Sequence, residues 1–169
     1  MKQSLQRKKV HLFSAPAGAL LADERALPRL TACVRACGDY FSRTTGERAL
    51  QGVAARLLSD ALADPSRRLY LLQNDDGSEP WGLLDLALDT PVPREATLAL
   101  LVLVPHRRGL GLGRETAEAF FAALAEAGYL RVRLGVARGE SEAAHFWAAL
   151  GMWECGEDGG VRLFEMPLS

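Results

Sequence analysis

Val104-Pro105-His106-Arg107-Arg108-Gly109-Leu110-Gly111-Leu112-Gly113 joins an apolar run to a helical pattern through a turn of arginine and glycine. Before it, Ala96-Thr97-Leu98-Ala99-Leu100-Leu101-Val102-Leu103-Val104 is rich in large aliphatics and is closed by Pro105, which predicts a strand buried on both faces. After it, Leu112, Thr116, Ala119, Phe120, Ala123 and Leu124 recur at helical spacing. They predict a helix from near Gly111 to Ala127 that stops at Gly128. A strand, a glycine-rich turn and a helix N-terminus together make an anion site. Unpaired N–H groups point outward, the helix dipole adds roughly half a positive charge, and glycines let phosphates approach the backbone.

Spacing decides which phosphate ligand this turn suits. A Walker loop ends in Gly-Lys-Ser/Thr, and no lysine or serine follows these glycines. A Rossmann fingerprint read from Gly109 puts Arg114 in its last position, and read from Gly111 it puts Thr116 there. That turn also belongs between the first strand and first helix of its domain, whereas this one lies about two-thirds of the way along the chain. The pattern that fits is R-x-x-G-x-G, carried by Arg108, Gly111 and Gly113 directly after Leu103-Val104-Pro105. It resembles motif A of the GNAT acetyltransferase superfamily, in which this turn holds the pyrophosphate of acetyl-coenzyme A.

A second segment extends the resemblance. Leu130 to Val136 alternates like a strand, and Ser141 to Leu150 reads as a short helix with Ser141 as N-cap and Gly151 just past its end. Val136, Ala143, Phe146-Trp147 and Leu150-Gly151-Met152 resemble motif B of the same family, with two departures. Glu140 stands where an asparagine is usual, and Trp147 where a tyrosine is usual.

The remainder reads as scaffold. With 169 residues, 49% hydrophobic and 24% charged, the chain suits one compact domain spanning 1–169. Twenty basic and twenty-one acidic residues leave no polyanion-binding surface, which argues against nucleic acid as a partner. The basic start, Met1 to Lys9, leads into no apolar h-region, and the longest apolar run is too short for a membrane span. No membrane partner and a cytoplasmic location are therefore expected. Cys33, Cys37 and Cys155 are odd in number and form no CxxC, so no metal site is expected, and the first two read as part of a buried stripe.

Lys9 to Phe13 suits a first strand, and Leu27, Leu30, Cys33, Val34 and Cys37 mark a helix ending near Gly38. Asp39-Tyr40-Phe41 then falls in a connector, followed by a helix from about Glu47 to Leu62 that Pro65 stops. Arg68 to Gln73 and Trp81 to Leu88 read as a hairpin around Asn74 to Gly77. Cys155 to Gly160 reads as a turn and Val161 to Met166 as the last strand.

This order matches the GNAT fold, an α/β (α+β) architecture with a central mixed, mostly antiparallel sheet of about six to seven strands flanked by about four helices. Asp39-Tyr40-Phe41, Gly82-Leu83-Leu84-Asp85 and Phe146-Trp147 are also similar to a bacterial group of the family with undefined substrates. The resemblance implies an acetyl-CoA-dependent N-acetyltransferase acting on a primary amine of a small molecule or peptide. The alternative is an acyl-CoA-binding regulatory module that has lost chemistry. By resemblance the pantetheine arm bonds main-chain groups of Leu101, Val102 and Leu103. The same resemblance gives Arg108, Gly109, Leu110, Gly111, Leu112, Gly113 and Arg114 the phosphates, with Glu140, Phe146 and Trp147 lining the coenzyme. Homodimers are common in the fold.

Catalysis needs a base for the ammonium substrate, N–H groups for the oxyanion and often an acid for the leaving thiolate. The indole of Trp147 is no proton donor in that sense, so the thiolate leaves unaided, takes a proton from water, or takes it from Tyr40. Asp85 and Glu95 are the candidate bases, or, with Thr97 where some members carry a glutamate, the proton leaves through water. Asp39, Tyr40 and Phe41 are the candidate acceptor-binding residues, and an acidic mouth would attract a cationic amine.

Overall fold

The aliphatic run before the glycine turn occupies the middle of a seven-stranded sheet in the computed structural model, which describes residues 19–45, 50–74 and 79–169. Among those residues the elements are β1 (Ala19–Leu21), α1 (Leu27–Ala36), α2 (Gly38–Thr45), α3 (Gln51–Ala63), β2 (Arg67–Leu72), β3 (Gly82–Leu88) and β4 (Glu95–Leu103). A 3₁₀ turn at Pro105–Arg107 leads to α4 (Leu112–Glu126), β5 (Arg131–Ala137), α5 (Ser141–Ala149), β6 (Trp153–Asp158) and β7 (Val161–Pro167). The sheet order is β1-β2-β3-β4-β5-β7-β6, and every neighbouring pair is antiparallel except β4–β5. The architecture is the mixed α/β arrangement expected, with one helix more than the sequence reading counted.

The strand buried on both faces is β3, which runs from Gly82 to Leu86 without an exposed residue. β4 instead alternates: Ala96, Leu98, Leu100 and Val102 are buried, while Ala99 is exposed. Its second face is only partly covered, with Glu95, Thr97, Leu101 and Leu103 half-buried. α3 packs on β2, α4 packs on β4, and α5 meets α4 where Trp147 lies against Phe121. One continuous core results, with Leu30, Cys33, Val34 and Cys37 of the α1 segment inside it.

Three local readings are corrected. Asp39-Tyr40-Phe41 belongs to the helix α2, because Phe41 is pinned in the core while Thr44 and Thr45 donate to the carbonyls of Tyr40 and Phe41 one turn back. Cys155 to Gly160 is mostly strand: β6 pairs with β7 as far as Asp158↔Val161, leaving Gly159 and Gly160 with positive φ for the turn. Its six residues are all exposed, so edge strand β6 carries no apolar alternation to betray it. Glu95 begins β4, one residue ahead of the Ala96 from which the strand was expected. The expected strand Lys9 to Phe13 and the tip Asp75 to Gly77 lie outside the described residues. Among the described residues, no helix is long and apolar enough to cross a membrane.

Candidate active site

Two parallel strands that separate part-way along create the site. β4 and β5 pair from Glu95↔Arg131 to Leu98↔Leu134 and no further, although β4 continues to Leu103 and β5 to Ala137. The parting begins at an irregularity in β4. Opposite β3, Asp85 aligns with Leu100 and Leu86 with Leu98, so Ala99 is an extra residue, and such a bulge bends its strand. Past it lies a cleft of about 250 Å³, walled by Ala99 to Leu101 on one side and Gly135 to Ala137 on the other. Tyr40 and Thr44 of α2 and Ala143 and Trp147 of α5 complete the walls, with Glu140 and Val161 at the rim. The small residues Gly135 and Ala137 leave the room, and a Cβ at Gly135 would come within 2.6 Å of Val161.

The glycine turn follows the end of β4, and Gly113 in it lies beside Leu103 and Phe146. Gly109 and Gly111 have φ of 72° and 83°, and a Cβ on either would meet nothing within 4 Å. Gly111 is the N-cap of α4 and makes no side-chain capping bond, so the first-turn amides of a 15-residue helix open toward that space. An anionic group suits this cradle on the grounds of free amides, dipole and absent side chains. Gly113 differs: its Cβ would touch the Phe146 ring at 3.6 Å, so this glycine serves the packing of α4 on α5. Leu110 is 64% exposed, Leu112 is half-buried, and Arg114 is paired with Glu118 one helical turn on.

Arg108 is committed within the protein. Its Nε donates to the carbonyl of Leu103 at 2.8 Å, and its two terminal nitrogens grip the Asp39 carboxylate at 2.6 and 3.1 Å. The Arg108 hydrogen bond holds the Asp39 carboxyl below the usual carboxylate range. On the other rim, Glu140 accepts from Arg43 at 2.5 and 3.3 Å. Glu140 at the cleft rim and Asp39 on α2 thus each meet a guanidinium.

The other candidates separate clearly. Tyr40 lines the cleft, and burial pushes its hydroxyl above the ordinary phenol range. Phe41 points into the core, 3% exposed, with its ring edge-on to Tyr40. Leu101 borders the cleft, whereas Val102 is buried and Leu103 half-buried. Asp85 is 1% exposed and bound to Arg67 of the adjacent strand, whose pKa that hydrogen bond raises. Glu95 sits at the paired end of the strands, 3.0 Å from Arg133 and 3.6 Å from Arg131. Neither carboxylate lines the cleft. Thr97 gives its hydroxyl to the Thr90 carbonyl at 2.9 Å. Trp147 is 7% exposed, edge-on to Phe146 and beside Phe121, so the usual tyrosine position is filled by packing. Sequence reasoning missed Arg43, Thr44, Ala99, Gly135 and Ala137. A signal existed for the last two, since small residues at alternate strand positions mark a face that needs space. Among the described residues no group of three His, Cys, Asp or Glu is placed to hold a metal ion.

The model of the acetyltransferase (GNAT) family matches residues 34–152. The chain belongs to the GNAT family. A GNAT acetyltransferase depends on acetyl-CoA. The structure is similar to that of an acetyltransferase from Thermus thermophilus, at 29% identity and a TM-score of 0.78, over 94% of this chain and 100% of that one. It also resembles the PaiA N-acetyltransferase of Thermoplasma acidophilum, solved with coenzyme A, at 16% identity and a TM-score of 0.69 over 89% and 99% of the chains. The spermidine N-acetyltransferase of Vibrio cholerae, solved with coenzyme A and spermine, gives 15% identity and a TM-score of 0.69 over 89% and 94%. These last two likenesses speak for the fold. No curated protein matches the sequence at a significant level.

Proposed function

We propose that this GNAT protein is an N-acetyltransferase that moves the acetyl group of acetyl-CoA to a primary amine by direct attack on the thioester. The observation that carries this reading is the cleft between β4 and β5, together with the N-terminus of α4, which has no side-chain cap and follows the end of β4 through the glycine turn. The amides of the Gly109 to Arg114 segment take the diphosphate, and the free edge of β4 from Ala99 to Leu103 takes the pantetheine arm. Binding to main-chain groups asks only for room, which fits a strand made almost wholly of aliphatics.

The acceptor nitrogen attacks the thioester carbonyl carbon. A C–N bond forms, the C–S bond breaks, and main-chain N–H groups hold the oxyanion in between. The sulfur departs with the bonding electrons and takes a proton from the Tyr40 hydroxyl. Tyr40 suits this part because it faces the cleft and its raised pKa keeps it protonated at neutral pH. Asp85 and Glu95 are held in ion pairs away from the cleft walls. The proton of the incoming ammonium therefore leaves through water to solvent before the attack, and the second proton, shed by the nitrogen as the amide forms, passes through water to restore Tyr40.

The test is release of free thiol from acetyl-CoA in the presence of amines, aminoglycosides, amino acids and peptides. Amine-dependent release is expected. Coenzyme A that binds but yields no thiol with any of these acceptors would show a binding module instead. Saturating coenzyme A at a hundredfold over its Kd is expected to stabilise the fold by about 2.7 kcal/mol. Gly111→Val is expected to remove that stabilisation by filling the open space beside the turn.

A further inference from the structure

We infer that α2 is a strap across the open end of the β4–β5 pair, with Arg43 and Asp39 as positioning residues that set the width of the cleft and hold Tyr40 within it. This inference rests on the coenzyme lodging between those strands. β4 ends at Leu103 and leads to Arg108; β5 ends at Ala137 and leads to Glu140. The strands stop pairing at Leu98↔Leu134, so their far ends are not joined by sheet hydrogen bonds. Asp39 and Arg43, one helical turn apart on α2, each reach one of these ends. Asp39 receives the fork of Arg108, whose Nε is itself tied to the last residue of β4, and Arg43 gives its fork to Glu140.

Both contacts are two-pronged, which fixes direction as well as distance. Tyr40 lies between them in the sequence, faces the cleft, and has the Arg43 guanidinium 6.0 Å from its ring centre. Side-chain exposure of 52% at Arg43 and 46% at Asp39 means that these pairs add little to stability. Their consequence is geometric. A gap between two strand ends that do not pair with each other is set by whatever spans it, and a displacement of about 1 Å at reacting groups can cost about a hundredfold in rate. The same placement makes Arg108 a bolt for the strap as well as a neighbour of the phosphate turn.

The test compares wild-type protein with Arg43→Gln, Asp39→Asn and the exchanged pair Arg43→Glu with Glu140→Arg. Coenzyme A affinity is measured by calorimetric titration, and hydrogen exchange of the amides of residues 38–45 is measured without ligand. Either single variant is expected to weaken coenzyme A by about fivefold, to speed exchange across α2, and to leave the melting temperature nearly unchanged. The exchanged pair is expected to recover protection of α2, read without ligand because Glu140 itself stands at the cleft rim. Wild-type affinity and wild-type exchange in Arg43→Gln would overturn the strap. So would an exchanged pair whose α2 amides exchange as fast as in Arg43→Gln. Failure of the wild-type protein to bind coenzyme A would sink the functional reading instead. Hydrogen exchange would still decide the strap, since unchanged α2 protection in Arg43→Gln refutes it without any ligand.

Discussion

The two ends of the β4–β5 pair use ionic contacts to opposite effect. At the closed end, Glu95 of β4 and Glu165 of β7 flank Arg131 and Arg133 of β5, with contacts of 2.6 to 3.7 Å across three neighbouring strands. These charges face one another directly across continuous hydrogen-bonded ladders, and they lock strands already in register. At the open end the ladder has gone, Ala99, Gly135 and Ala137 supply almost no side chain, and the ion pairs bridge from each strand end to a helix. One set of charges closes a sheet. The other frames a space. A bulge of one residue separates the two regimes, and the cleft opens beside it.

The largest effect is expected beneath the open end, where Trp147 is wedged between Phe146 and Phe121. Trp147→Ala should cost about 3 to 5 kcal/mol of stability in a denaturant titration, the usual penalty for emptying such a site. Trp147→Phe should retain most turnover. A hundredfold fall in that variant, with coenzyme affinity intact, would give the indole a chemical part that packing does not explain.

Asp85, one strand away, tests whether a buried carboxylate supports the sheet or the reaction. Asp85→Asn leaves Arg67 short of its partner and is expected to cost about 3 kcal/mol, while kcat for an identified acceptor stays near wild type. A large fall in kcat without a stability loss would reverse the assignment.

Tyr40→Phe removes the proposed acid at the open end and is expected to lower kcat by about a hundredfold, with coenzyme affinity little changed. Because burial raises the folded pKa of Tyr40, the stabilisation linked to its proton is full below the unfolded value near about pH 10 and is lost as pH rises through the folded value. Turnover should decline over that same alkaline range in the wild type, and this decline should be missing from the residual rate of Tyr40→Phe. An unchanged pH profile would show that the thiolate leaves without Tyr40.

The smallest effect belongs to the closed end. Glu95→Gln should cost about 1 kcal/mol or less, since its two arginines are each more than a third exposed and keep Glu165. Its acceptor KM and kcat should match wild type. A shifted pH dependence of kcat in this variant would return Glu95 to the reaction and erase the distinction between the two ends.

The sequence by itself determined the strand, the turn and the helix from Ala96 to Gly128, because each leaves a local mark: an aliphatic run, glycines where the backbone takes positive φ, and a 3.6-residue stripe. It also determined the motif B helix and the hairpin of β2 and β3 for the same reason. Only the tertiary structure decided which carboxylates face the cleft. Asp39, Asp85 and Glu95 look alike as acidic residues near apolar segments, yet arginines 69, 18 and 38 residues away in the chain claim them, Arg133 being nearest to Glu95. The α2 helix and the Ala99 bulge were equally hidden. A polar eight-residue helix is held by Phe41 and by ion pairs to distant elements, and a bulge exists only relative to the partner strand. Local periodicity records the backbone's own preference, whereas the pairing of charges and the parting of strands depend on what the fold brings opposite them.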